Sequence, residues 1–139
     1  MLIGQYQHSL DTKGRMIMPA KLRESLGERF ILTYGLDNCL FVYSMEEWAL
    51  LEEKVQRLPL AKGRKLQLFF FANACEVETD SQGRILIPAA LRKYAHLSKE
   101  TVVIGASVRA EIWDKKAWEE ASSGVTVEDV TQAMNDLEF

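Results

Sequence analysis

The chain of 139 residues is poor in the groups that most enzymes and metalloproteins depend on. Its two cysteines, Cys39 and Cys75, lie 36 positions apart with no CxxC spacing and no histidine beside them. That pattern predicts buried, reduced thiols of a cytosolic protein, and neither a disulfide framework nor a zinc site. The two histidines, His8 and His96, are equally isolated, so no metal ligand set is expected. No P-loop, GxGxxG, GxSxG or HExxH string occurs, so catalytic residues, a cofactor and a small-molecule substrate are not expected either. Long apolar runs are missing too. The stretch LQLFFFANA (66–74) is less than half a membrane span and carries Gln67 and Asn73, so no membrane helix is expected. The opening MLIGQYQHSL has neither a basic start nor an apolar stretch, so a signal peptide is not expected. With only 3 Pro and 8 Gly against 47% hydrophobic residues, the composition excludes collagen and disorder and suffices for a core without staples. A surplus of positive charge is also lacking: the formal net charge is −3, which taken alone argues weakly against a nucleic-acid partner.

What is present is a repeat. DTKGRMIMPAKLR (11–23) aligns without a gap to DSQGRILIPAALR (80–92), with 7 of 13 positions identical, among them Asp11/Asp80, Gly14/Gly83, Arg15/Arg84, Pro19/Pro88 and Arg23/Arg92. One extra residue later, Gly35 matches Gly105 and VYSMEEW (42–48) matches IWDKKAW (112–118). Two copies are too few for a solenoid, which predicts an intramolecular pseudo-dimer.

Both copies predict the same elements. QYQHSL (5–10) alternates as a half-buried strand does. Asp11-Thr-Lys-Gly14 reads as a turn, since Asp bonds its own backbone and Gly tolerates positive φ. A short apolar strand follows, Met16–Met18 or Ile85–Ile87, and then Pro19 or Pro88 at the first position of a short helix. Two extended stretches complete each unit, FILTYG (30–35) and LFVYS (40–44) in the first, TVVIGA (101–106) and AEIWD (110–114) in the second. Neither half has strands enough to bury two faces, so the halves should interlock. Between them, Ser44 and Glu47 predict a capping box for a helix carrying Trp48, Leu51, Val55 and Leu58, stopped by Pro59. LQLFFFANA reads as helix. Thr126–Asp129 caps a last helix with Val127, Val130, Met134 and Leu137 on one stripe, which should pack on its own chain or a neighbour.

Resolved along the chain, the charge is uneven. Residues 111–139 hold eight acidic groups against Lys115 and Lys116, a net of −6, which leaves +3 on residues 1–110. Residues 9–23 carry a net of +3 from Lys13, Arg15, Lys21 and Arg23 against Asp11, and residues 52–65 another +3. At the repeated turn two readings stay open. In one, Asp11 and Arg15 form a surface ion pair of little consequence and Lys13 is a solvated tip. In the other, Lys13, Arg15 and Arg84 project from rigid turns into a DNA groove, where a two-stranded ribbon fits and Arg can pair with guanine. Gln82 stands where the first copy has Lys13; it can still bond phosphate or an adenine edge.

The DxKGR…PAxLR string, its second copy DxQGR…PAALR, the MxIGxYxHSLD opening and the tryptophan after the last strand of each copy resemble the MraZ family over essentially the whole chain. That family is one of bacterial transcriptional regulators built from two tandem AbrB/SpoVT-like units. The resemblance implies an α+β fold, a pseudo-two-fold swapped-hairpin β-barrel with flanking helices. The units expected are repeat 1 at 5–48, a helical connector at 49–74, repeat 2 at 75–118 and an acidic C-terminal helix at 119–139. It further implies a cytoplasmic, nucleoid-associated regulator, repressor or activator, acting at the promoter of the division and cell-wall gene cluster, its own gene included. The protein would bind direct repeats of double-stranded DNA as a homo-oligomeric ring, an octamer or larger. Asp11, Arg15, Asp80 and Arg84 match the family's DxxxR positions. The candidate DNA-binding residues are therefore Lys13, Arg15, Gln82 and Arg84, and the candidate turn-shaping residues Asp11, Gly14, Asp80 and Gly83. A ring would give weak single tips avidity on repeats spaced roughly 10 bp apart. LQLFFFANA, Trp48, Trp118 and the C-terminal stripe are candidate interface or core. The alternative is a structural or protein-interaction ring with solvated tips.

Overall fold

A computed structural model describes residues 1–137; residues 138 and 139, with Glu138 of the acidic segment and the end of the expected 119–139 unit, lie outside the described residues. The first repeat forms β1 (Gln5–Ser9), β2 (Arg15–Ile17), α1 (Ala20–Leu26), β3 (Arg29–Tyr34) and β4 (Leu40–Ser44). The connector forms α2 (Met45–Gln56) and α3 (Leu60–Leu66), which runs on into a π-helical turn over Gln67–Phe71. The second repeat repeats the order with β5 (Cys75–Glu78), β6 (Arg84–Leu86), α4 (Ala89–Tyr94), β7 (Glu100–Ala106) and β8 (Arg109–Asp114), followed by α5 (Lys115–Ser123) and α6 (Val127–Met134).

The halves interlock through their first strands. Six strands form one antiparallel sheet in the order β1-β7-β8-β4-β3-β5, so β1 lies on the second repeat's pair and β5 on the first repeat's pair. β4 against β8 joins the two pairs at the pseudo-two-fold axis. β2 and β6 pair with each other in a separate ribbon, Met16 opposite Ile85. The sheet is open, with β1 and β5 at its edges, and the closed barrel expected from the resemblance does not form. The reason is local. Gly14 and Gly83, at φ +81° and +77°, turn the chain out of the sheet, and Pro19 and Pro88 end β2 and β6 after three residues. β1 and β2 accordingly turn but do not pair as a hairpin.

Each sheet face has its own core, which is why β3, β4, β7 and β8 read as near-continuous apolar runs. On one face Phe30, Leu32, Val42, Val103 and Ile112 pack against Met16, Ile85 and the short helices' Leu22 and Leu91. On the other, Ile31, Phe41, Tyr43 and Trp113 meet the connector and α5, including Trp48, Phe70 and Trp118. These aromatics are thus half-buried packing, and the three consecutive phenylalanines are divided among separate rings: Phe69 by Tyr34, Phe70 by Phe41, Phe71 by Trp48. Asn73 stops the widened turn by donating to the Phe69 carbonyl at 2.9 Å.

Several local expectations are refined. Pro19 and Pro88 are the N-caps of α1 and α4, not their first helical residues, and their carbonyls accept the first helical bonds at 3.0 Å. Ser44 Oγ accepts from Glu47 N at 3.1 Å, but only half of the expected capping box forms because Ser44 still belongs to β4, opposite Phe30. A full box, Thr126 with Asp129, starts α6. The α6 stripe does not pack on its own chain: Val127 is 78% exposed and Leu137 66%. Cys39 is buried and free, whereas Cys75, expected buried, is half-exposed at the start of β5 and also free.

Candidate nucleic-acid interface

The two turns are built bond for bond alike. Asp11 Oδ1 accepts from the backbone N–H of Lys13 (2.9 Å) and of Arg15 (2.8 Å), and its Oδ2 accepts from Arg15 Nε at 2.9 Å. In the second turn Asp80 Oδ1 accepts from Gln82 N and Arg84 N, each at 2.9 Å, and its Oδ2 from Arg84 Nε at 2.8 Å. Gly14 and Gly83 close the turns by donating to the carbonyls of Asp11 and Asp80 at 3.0 Å. Their positive φ is a conformation other residues adopt only with strain. The backbone N–H of Arg15 above all, together with its guanidinium and the Lys13 N–H, holds the Asp11 carboxyl below its ordinary pKa. Arg84 and Gln82 do the same for Asp80.

This arrangement joins the two readings of the sequence. The Asp–Arg ion pair exists, yet its hydrogen bond comes from Nε, which fixes the guanidinium's direction and leaves both Nη groups without a protein partner among the described residues. The arginine is aimed by its aspartate. Lys13 and Gln82 are exposed at the tips.

The ribbon sets the spacing of the turns. Arg15 is opposite Leu86 and Ile17 opposite Arg84, so the arginines stand at opposite ends of the two strands. Alternation puts Met16 and Ile85 inward, each 1% exposed, and Arg15, Ile17, Arg84 and Leu86 outward on one face. All four expected contact residues therefore belong to one ribbon with its two turns.

Two features were not anticipated from sequence. Ile17 and Leu86, members of short apolar strands, are 43% and 56% exposed on that outer face, each opposite one of the arginines. Only the antiparallel register makes their direction visible. The second feature is a cross-repeat brace. The Arg92 guanidinium lies so close over Gly14 that a Cβ there would come within 2.7 Å of it, and Arg23 lies over Gly83 in the same way, at 2.9 Å. Main-chain bonds tie the same places: Ile87 N donates to Gly14 O at 2.9 Å and Met18 N to Gly83 O at 3.0 Å. Arg92 Nε also donates to Ile87 O at 2.9 Å, while Arg23 Nε is buried without a hydrogen-bond partner among the described residues. Each turn is thus held by the other repeat, and the first more fully. The identity of Arg23 and Arg92 in the repeat was the available signal.

Among the described residues no cluster of three or more His, Cys, Asp or Glu could hold a metal ion, and no helix is long and apolar enough to cross a membrane.

Comparison with known proteins agrees with the duplication. The family model described as "MraZ protein, putative antitoxin-like" matches the chain twice, over residues 1–68 and 70–137. A protein of Thermoanaerobacter sp. (strain X514) named transcriptional regulator MraZ is 55% identical over 141 aligned positions, covering 99% of both chains. A protein of the same name from Caldicellulosiruptor saccharolyticus is likewise 55% identical with 99% coverage of both. A third such protein, from Acetivibrio thermocellus, is 54% identical over 138 positions, 96% of each chain. With two matches of the family model spanning nearly its whole length and relatives above half identity, the chain belongs to the MraZ family.

Proposed function

We propose that this protein is a transcriptional regulator that binds double-stranded DNA through its two Asp-to-Arg turns. The observation that carries this reading is the pair of turns, each with an arginine locked by its aspartate through Nε and offering its free Nη edge from a two-stranded ribbon. Such a fork matches phosphate oxygens or the O6/N7 edge of guanine, and a two-stranded ribbon fits the major groove. Lys13, Arg15, Gln82 and Arg84 make the contacts, and Asp11, Gly14, Asp80 and Gly83 hold the turns in shape. The relatives' name, transcriptional regulator, supports the same conclusion.

The finer reading follows from it. The exchange of β1 and β5 between repeats supports reading the two units as AbrB/SpoVT-like. The protein works as a homo-oligomeric ring in the cytoplasm, associated with the nucleoid, at repeats in the promoter of the division and cell-wall gene cluster, without a cofactor. Two surfaces support the ring. The exposed apolar stripe of α6 carries Glu128 and Asp129, and the α2–α3 elbow exposes Leu58 and Leu60 beside Lys62, Arg64 and Lys65. Apolar surfaces of opposite charge on one chain favour head-to-tail contact between copies, the geometry that closes rings.

The test is a gel shift at fixed salt with the duplex upstream of the chain's own gene. Retardation that survives a scrambled competitor supports the reading; equal retardation of the scrambled duplex, or none, overturns it in favour of a purely structural assembly.

A further inference from the structure

Resting on the DNA-binding reading above, we infer that Ile17 and Leu86 are specificity-determining residues that contact thymine methyl groups in the major groove. The ribbon's outer face consists of four side chains, two arginines and two large aliphatic groups, and the aliphatic pair is 43% and 56% exposed. Among the described residues they are the strands' large exposed aliphatic groups, whereas the inward neighbours Met16 and Ile85 on the same two strands are sealed in the core. Their cross-strand partners are the aimed arginines: Ile17 lies opposite Arg84, and Leu86 opposite Arg15. Facing residues on one side of an antiparallel pair have Cβ atoms about 5 Å apart. Each arginine therefore has an aliphatic side chain directly beside it on the same face.

The chemistry of this face selects its occupant. A protein surface covering Ile17 and Leu86 would also have to desolvate Arg15 and Arg84, each of which already has its one carboxylate and, among the described residues, no protein partner for its Nη groups. DNA satisfies both kinds of group at once. Phosphates and guanine edges take the guanidinium forks, and the thymine C5 methyl is the apolar group that the major groove displays. The ribbon thus has what direct readout needs, whereas the turns alone offer only cations and amides. The two apolar residues also differ in shape, β-branched Ile17 beside Arg84 and γ-branched Leu86 beside Arg15, so the two half-faces are not equivalent readers.

The experiment uses the full chain and the duplex upstream of its gene, prepared once with thymine and once with uracil throughout, which removes only the C5 methyl groups. Affinities are measured by fluorescence anisotropy at one salt concentration for the wild type and for the double variant Ile17→Ala, Leu86→Ala. Burying one methyl is worth about fourfold in affinity, so two contacts predict a loss on the order of tenfold for the wild type on uracil DNA. The double variant should bind thymine DNA about that much more weakly and lose nothing further on uracil DNA. Equal wild-type affinity for the two duplexes, or a double variant as sensitive to uracil as the wild type, overturns the inference while leaving DNA binding itself intact. No binding of either duplex by the wild type overturns the DNA-binding reading as well. Both residues are exposed, so the variant should fold; a change in its assembly mass by light scattering would instead assign them to contact between copies and also overturn the inference.

Discussion

At the residue scale, the duplicated aspartates do more than neutralise arginines. Each accepts two backbone N–H bonds and one from a guanidinium, so the charged carboxylate is part of the turn's framework. Because the folded pKa lies below the ordinary value of about 3.9, the contribution is fully present above that value and is lost as pH falls through the lower, folded one. The turns should keep their geometry unchanged from neutral pH down to about pH 4 and loosen only in stronger acid. Carbon-13 NMR titration of the side-chain carboxyls should give midpoints for Asp11 and Asp80 below those of unfolded peptides; midpoints at or above the peptide value would remove the aspartates from this role. Most of this site was legible in sequence. Asp, Gly and Arg at fixed offsets, twice, specify a turn with an arginine leaving it, because each residue type has one dominant local use there. The exposure of Ile17 and Leu86 was not legible. A three-residue apolar strand carries no alternation from which to infer a face, and its direction is decided by Met16 and Ile85 meeting across the ribbon.

At the scale of elements, the ribbon is held from inside. Met16 and Ile85 face each other across the two strands, each 1% exposed, and they are the points at which the ribbon is fastened to the sheet. Replacing either with alanine should cost about 2–5 kcal/mol through lost burial and the cavity left behind. Urea unfolding should show this as a lower midpoint at unchanged slope, and a loss under about 1 kcal/mol would mean that the ribbon is only loosely attached. The existence of the strands and helices could be read from alternation, turn residues and caps. Their partners could not. Which strand β1 pairs with depends on contacts between Tyr6 and Val103, nearly a hundred residues away, and a sequence window sees neither. The same holds for Arg92 over Gly14, where local motifs suggest only a basic helix end. The π-helical turn was missed in kind, though not in helicity, because three successive phenylalanines must reach separate aromatic neighbours.

At the scale of the whole molecule, the net charge of −3 is an average of unlike parts. The excess of acidic over basic groups lies after residue 110, and the excess of basic groups lies around the first turn and on the connector. If α6 and the α2–α3 elbow join successive copies, Val130→Asp should lower the assembly mass toward the monomer in light scattering while circular dichroism stays that of the folded chain. An unchanged mass would place the contact between copies elsewhere. On the proposed reading, assembly would multiply the few contacts one turn can make with a duplex. The most direct test of the account compares the wild type with the double variant Arg15→Ala, Arg84→Ala on the duplex upstream of the gene, by fluorescence anisotropy across a salt series. The account predicts an intact fold and assembly, an affinity lower by about 10- to 100-fold, and a shallower dependence of log K on log salt, because guanidinium contacts to base edges and phosphates are gone. Equal affinity and equal salt dependence for the two proteins would contradict it.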